Sequence, residues 1–420
     1  MSLPEIVAPE KAGFSSKRLD RLNKTMQGYV DDQRLAGIVT LLARKGQVAH
    51  FETFGQADIQ ADKPMAHDTL FRIYSMTKPI TSIAAMMLFE DGMFQLHDPV
   101  SKYLPEFAET KVCVGSKVDG LKLVEQDPPM TVQHLLSHTA GLSYGWFMDT
   151  PVDQLYRKAG ALRDKDMTLA EFGQAIASLP LVYQPGTNWR YSMATDVLGH
   201  FIEVVSGMSL ADFFADNIFK PLGMTDTAFY VPADKQDRFA AMYTLATPPP
   251  GTLIMNMLKD DSGVIEGHNL KAIDLPSTSP YLTQNNFLSG GGGLISSTAD
   301  YLRFAQMLAN GGTLDGHDII SRKTLEIMAT NHVDLSAFPL TISTPMPGYG
   351  FGLGFSVLMD VAQSGELGSV GSYGWSGAAS TTYWVDPVED LIAIFMAQFM
   401  PTGHYPVHSE FQNLVYQALM

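Results

Sequence analysis

Strand-like runs stand at the two ends of this chain and helix-period segments fill its middle, so any sheet it builds must join residues far apart in sequence. Near the start, GIVTLLAR and QVAHFETFG are β-branched and aromatic runs parted by Lys45-Gly46, the pattern of a hairpin. Beyond Tyr349, GFGLGFSVLMD, STTYWVDP and DLIAIFMAQF read as strands, the last two joined by a turn at Pro387 to Asp390. An amphipathic helix precedes the first hairpin: Ser15 and Ser16 offer a cap, and Leu19, Leu22, Met26 and Tyr29 or Val30 follow at helical steps. A closing helix from about His408 to Met420 carries Phe411, Leu414, Val415 and Ala418.

Between these ends, SIAAMMLFEDG, TVQHLLSHTAG, LAEFGQAIASL, TDVLGHFIEVVSG and LADFFADNIF are mostly helical in period and often stop at glycine. ATPPPGT (246–252) and the polar stretch Asp260 to Gly267 read as surface loops. GGGGLISSTADYLRFAQMLANGG then combines glycines, a Ser297-x-x-Asp300 capping box and a periodic helix. The expected organisation is an α/β lobe built from both termini, residues 1–82 and 291–420, and a mainly helical lobe over 83–290. A length of 420 residues suits that division.

Charge and composition narrow the partners. A formal charge of −16, with no run of Lys and Arg, opposes nucleic-acid binding. No stretch reaches the ~18 consecutive apolar residues of a membrane span. The opening MSLPEIVAPEKAGFSSK lacks the basic start and apolar stretch of a signal peptide, and the lone Cys113 has no internal disulfide partner. The expectation is a soluble, cytoplasmic protein with no membrane or nucleic-acid partner, its oligomeric state left open.

FRIYSMTKPI, Phe71 to Ile80, sets Ser75 and Lys78 three residues apart where an apolar helix begins. Pro79 is tolerated only in a first helical turn, which fixes the helix start near Ser75. Residues i and i+3 share a face, so the amine reaches the hydroxyl. A lysine serves as base for a serine only when burial or nearby positive charge lowers its pKa, and Phe71, Ile73, Met76 and Ile80 offer apolar surroundings. Ser-x-x-Lys nevertheless occurs about once by chance in a chain this long. Spacing alone does not separate a nucleophile from a capped helix with a solvated lysine.

The ordered set decides between them. SMTK, HLLSHTAGL, Tyr191 in PGTNWRYSMATDVLGHFIEVVSG, GGGGLISSTADYLRFAQMLANGG and GWSGAAST together resemble the serine β-lactamase and DD-peptidase superfamily, and within it the family VIII carboxylesterase branch with related acyltransferases. The resemblance runs from about Gly13 to the last strand. It implies a β-lactamase/transpeptidase-like α/β fold (α+β type), an antiparallel sheet flanked by helices plus a mainly helical lobe. It also implies a serine hydrolase acting on small, short-chain carboxylic esters through a Ser75 acyl-enzyme. Lys78 is then the base and Tyr191 the proton relay to the leaving group. Trp375, Ser376 and Gly377 would line the substrate, with the Ser75 and Ala378 amides as oxyanion hole. Acyl transfer to an alcohol, weak β-lactamase activity and a non-catalytic penicillin-binding-like sensor are the alternatives.

Two departures shape the expected specificity. Penicillin-recognising members carry Tyr-x-Asn and Lys-Thr-Gly where this chain has Tyr191-Ser192-Met193 and Trp375-Ser376-Gly377. Without that amide and cation the site should prefer an uncharged ester over an anionic β-lactam. Two rival motifs are weaker. GLSYG (141–145) matches the G-x-S-x-G nucleophile elbow at Ser143, but a helix-like segment precedes it where that motif needs a strand. His134 and His138 sit four apart, yet Leu135 stands where H-E-x-x-H requires glutamate. No metal or cofactor is expected.

Overall fold

The computed structural model describes residues 4–117, 120–160, 166–247 and 267–420, with Gly263 and Ile265. The loops expected at 246–252 and 260–267 lie largely outside the described residues. The Lys45-Gly46 hairpin forms as read: β1 (Gly37–Arg44) and β2 (Gln47–Asp58) pair antiparallel. Lys45 and Gly46 both take positive φ (52° and 72°), the turn whose twist suits adjacent strands. A short β3 (Lys63–Pro64) follows on the edge. From the C-terminal part come β4 (Tyr349–Phe351), β5 (Ser356–Leu358), β6 (Tyr373–Gly377), β7 (Thr381–Asp386) and β8 (Leu391–Ala397).

These eight strands make one sheet in the order β4-β5-β6-β7-β8-β1-β2-β3. The seam between the two ends of the chain is β8 on β1, in antiparallel register from Ile38 opposite Ala397 to Arg44 opposite Leu391. One expectation needs correcting: GFGLGFSVLMD is a tight hairpin, β4 and β5, closed by Gly352 N–H donating to Phe355 O at 2.7 Å. Its density of glycines gives the chain room to reverse.

Every residue of β1 is buried, because both faces of the sheet are covered. Val39, Leu41 and Ala43 join the core that also holds the buried apolar residues of α2 (Thr77–Glu90) and α4 (Thr298–Ala309), while Ile38 and Leu42 join the one that holds those of α1 (Ser16–Asp31) and α5 (Val407–Gln417). The period-2 alternation thus feeds two separate cores. On α1 the buried Leu19, Leu22, Met26 and Tyr29 are those expected. Each such side chain contributes about 1.5–3 kcal/mol by burial. The cap is looser than expected: Ser15 makes no side-chain capping bond, and Glu10 instead accepts from Ser16 N–H at 2.9 Å.

In the helical region, α3 (Ala194–Ser206) packs across α2. TVQHLLSHTAG forms only one turn, Val132–Leu136, and ends before His138, whose φ is 57°. The Ser297 box is half formed. Ser297 Oγ accepts from Asp300 N–H, but the Asp300 carboxylate turns away to accept from Asp226 N–H at 2.6 Å and Thr227 Oγ1 at 3.0 Å. Among the described residues no single helix is long and apolar enough to cross a membrane; the pair Ala194–Ser206 and Leu210–Leu222, bent by 83°, passes that test only jointly.

Candidate active site

A two-strand ladder brings distant segments together at one corner: Leu70 to Arg72 pair antiparallel with Ser297 to Ile295, and Ile73 N–H donates to Leu294 O at 3.1 Å. The chain then breaks sharply. Tyr74 takes φ 43°, a conformation rare for a bulky aromatic, and a 3₁₀ turn, Tyr74–Met76, leads into α2. Ser75 sits half-buried on this bend. Pro79 falls within the first turn of α2, as its chemistry requires.

Lys78 lies one turn further and is 1% exposed. Its Nζ is 3.2 Å from Ser75 Oγ, 2.8 Å from the Tyr144 hydroxyl and 2.6 Å from Gly291 O, and it stands 4.7 Å from the centre of the Tyr191 ring. An ammonium donates to all three oxygens. A neutral amine has two N–H donors and one lone pair; since Gly291 O only accepts, the lone pair would face the Ser75 or Tyr144 hydroxyl. The arrangement therefore suits proton exchange with either hydroxyl.

Tyr191, 5% exposed, turns its ring face to Lys78, and its oxygen accepts from Trp375 Nε1–H at 3.2 Å. The phenol that hydrogen-bonds Lys78 directly is Tyr144. Burial, reinforced by Tyr191 and Asp196, pushes the Tyr144 phenol well above its usual range, so it stays protonated. Asp196, in the first turn of α3 and 1% exposed, accepts from Ser289 Oγ at 2.5 Å and Gly291 N–H at 3.0 Å. Burial pushes its carboxyl up and the Lys78 charge opposes that. A Cβ on Gly291 would lie 2.5 Å from Asp196 Oδ2, so only glycine lets this backbone pass between Asp196 and Lys78.

On the other side, β6 runs against the Ser75 corner: a side chain on Gly377 would strike the Ile73 carbonyl. Ala378 and Tyr74 both pack on Met242, Ala379 and Met400. Trp375 is 7% exposed, and Ser376 Oγ donates to Thr382 Oγ1 at 2.8 Å. Aromatic rings enclose the group: Trp146 stacks on Tyr144 at 4.0 Å, and His138, Trp189 and Trp375 surround Tyr191. Such walls keep the local dielectric low.

The rival motifs resolve otherwise. Ser143 is fully buried and its hydroxyl donates to Asp153 Oδ1 at 2.5 Å. His134 caps its own short helix, Nδ1 accepting from Thr131 N–H at 3.2 Å, while His138 lies past the helix end with Nδ1 3.3 Å from Ser192 Oγ. Burial, aided by Lys78, pushes His138 well down and keeps it neutral. Among the described residues no three His, Cys, Asp or Glu side chains gather as a metal site. Tyr144, Asp196 and the Gly291 carbonyl are the residues that sequence reasoning missed. The available signals were a tyrosine inside the rejected GLSYG motif and a lone carboxylate opening the apolar run TDVLGHFI.

The Beta-lactamase family model matches residues 22–417. The chain is 34% identical over 388 residues to Protein Rv1367c of Mycobacterium tuberculosis (strain ATCC 25618 / H37Rv), covering 91% of this chain and 90% of that protein. It is 32% identical over 370 residues to Esterase EstB of Burkholderia gladioli, covering 87% and 86%. Among solved structures, EstCE1, described as a hydrolase with promiscuous acyltransferase activity, superimposes with TM-score 0.76 at 29% identity over 95% of this chain and 98% of that one. Simvastatin synthase (LovD) from Aspergillus terreus shares the fold at TM-score 0.77 and 22% identity, over 96% and 98%.

Proposed function

The chain belongs to the Beta-lactamase family, and from that premise we propose that it is a carboxylesterase cleaving small, short-chain esters through a Ser75 acyl-enzyme. It has the β-lactamase/transpeptidase-like fold and is a serine hydrolase of that family. The observation that carries the reading is the Lys78 amine, 1% exposed and 3.2 Å from Ser75 Oγ. The Lys78 amine takes the Ser75 proton as Oγ attacks the acyl carbonyl. The oxyanion that forms accepts from the Ser75 and Ala378 amides. Collapse expels the alcohol, which takes up the proton held by Lys78, with Tyr191 as the relay. Water then attacks the acyl-enzyme, giving a proton to Lys78, and as the acyl C–O bond breaks Ser75 Oγ takes that proton back and the acid is released.

Trp375 and Met193, 7% and 2% exposed, set no cation and no amide where a β-lactam would need them. Losing one charge-assisted contact of ~1.5–3 kcal/mol weakens an anionic substrate about ten- to a hundredfold. Side-by-side kinetics on p-nitrophenyl butyrate, nitrocefin and benzylpenicillin test this. A far higher kcat/KM for the neutral ester is expected, and equal efficiency on penicillin would overturn it. Acyl transfer is the second reading, favoured by the likeness to EstCE1 and its promiscuous acyltransferase activity. The same intermediate serves both, so adding an alcohol acceptor and measuring new ester against free acid separates them.

A further inference from the structure

The two tyrosines beside Lys78 come from separate segments, and each follows directly on a member of one buried polar network. Ser143 precedes Tyr144 and Arg190 precedes Tyr191. Between them lies Asp153, 0% exposed, at the start of the helix Pro151–Ala159. Asp153 Oδ1 accepts from Ser143 Oγ at 2.5 Å and from Arg190 NH2 at 3.1 Å. Oδ2 accepts from the same guanidinium at 2.9 Å, and from Thr150 N–H and Oγ1 at 3.1 and 3.0 Å.

The network closes on itself. Arg190 Nε donates to Ser143 Oγ at 3.1 Å, and the guanidinium also holds Asp149 at 2.6 and 3.2 Å. Gly145 N–H donates back to Ser143 Oγ at 3.2 Å, so the Ser143 hydroxyl brackets Tyr144 from both sides. The backbone adds one more tie, Arg190 N–H to His138 O at 2.9 Å. Fixed charges and short chains of hydrogen bonds in a dry interior hold geometry tightly. A displacement of about 1 Å in such a site costs on the order of a hundredfold in rate.

We propose that Asp153 is a positioning residue, which through Ser143 and Arg190 locks Tyr144 and Tyr191 in register against Lys78. The serine of the GLSYG motif thereby acquires a role as a bridge, distinct from nucleophilic attack. This rests on the reading of Ser75 as the nucleophile with Lys78 as its base.

The test is the rate of Ser75 labelling by a fluorophosphonate, measured across pH on full-length wild type, Asp153→Asn, Tyr144→Phe and the double variant. Asp153→Asn is expected to slow labelling about tenfold or more and to displace the pH profile. In the Tyr144→Phe background it should cost less, since the part of its effect that runs through the Tyr144 contact with Lys78 is already lost. A wild type that is not labelled at Ser75 overturns the nucleophile assignment. Normal wild-type labelling with an unslowed Asp153→Asn overturns only the positioning role. So do fully additive losses, or slower labelling with an unmoved pH profile. Should Asp153→Asn not fold, Ser143→Ala deletes the bridging hydroxyl alone and is read by the same criteria.

Discussion

The indole N–H of Trp375 donates to the phenol oxygen of Tyr191 at 3.2 Å, with Trp375 only 7% exposed. The single donor of the indole is therefore engaged inside the protein and is not free for a substrate. A lysine here would bring a charge into a position only 7% exposed and packed on that phenol, with Met193 still in place of the amide, so the single change does not rebuild a carboxylate site. Trp375→Lys is expected to gain nothing on benzylpenicillin and to lose most ester hydrolysis. Trp375→Phe, which keeps the ring and drops the donor, should lose about three- to tenfold in kcat/KM. Penicillin turnover appearing in Trp375→Lys would show that the missing cation alone keeps β-lactams out.

The short Ser75–Lys78 contact yields a sharper expectation. Ser75→Ala removes the nucleophile, and Lys78→Arg replaces the base by a guanidinium that cannot release its proton at working pH. Both should lower kcat for p-nitrophenyl butyrate by at least ~10³ while leaving the thermal midpoint near the wild type for Ser75→Ala. A Lys78→Arg enzyme of ordinary activity would remove Lys78 from the mechanism.

Stability should depend on pH through two opposed sets of buried groups. Burial pushes His50, His134 and His408 down to about 4 from 6.5, so each contributes stability above pH 6.5 that drains away as pH falls toward 4. Burial pushes the Asp300 carboxyl the other way, up to about 6, so its contribution is present at pH 4 and lost as pH rises to about 6. Burial also pushes His138 and His332 down and the Asp196 and Glu203 carboxyls up, so the histidines still outnumber the carboxyls, and the protein is expected to weaken on acidification by about 1.4 kcal/mol per pH unit for each uncompensated group. Asp300→Asn keeps an acceptor for Asp226 N–H and Thr227. It should stabilise the protein at pH 7 by roughly 1–2 kcal/mol and steepen the loss below pH 6. Urea midpoints at pH 4.5, 6 and 7.5 check this; an unchanged slope in the variant would clear Asp300 of the effect.

What the sequence disclosed follows the range of the interactions involved. The hairpin at Lys45-Gly46, the turn at Pro387 to Asp390 and the meeting of Ser75 with Lys78 are local, within a few residues, and were legible from local pattern, although spacing alone left the role of the pair open. The seam of β8 on β1 was foreshadowed only by the strand-like character of both ends. Tyr191 was reachable through the ordered motifs. Tyr144, Asp196 and the Gly291 carbonyl were not, because 66 and 213 residues of chain separate Tyr144 and Gly291 from Lys78 and no periodicity reports such a meeting. The Asp300 carboxylate was misread for the same reason: a partner at Asp226 competes with the local capping bond, and burial decides in its favour.

The division of labour between the two phenols is open to a test that varies the leaving group. Tyr144 is held as a protonated phenol on the Lys78 amine at 2.8 Å, while Tyr191 presents its ring to the same amine and its oxygen to the Trp375 N–H. A nitrophenolate departs without a proton, whereas an alkoxide does not. Tyr191→Phe should therefore slow p-nitrophenyl butyrate only modestly and slow ethyl butyrate by about 10²–10⁴, the usual range for general acid catalysis. Tyr144→Phe removes a hydrogen bond from Lys78 and should slow both esters alike, since acylation needs the base whatever leaves. Steady-state kinetics on the two esters, with burst measurements to isolate acylation, distinguish these patterns. Equal losses on both esters in Tyr191→Phe would move the relay away from Tyr191 and leave Tyr144 as the phenol that hands the proton on.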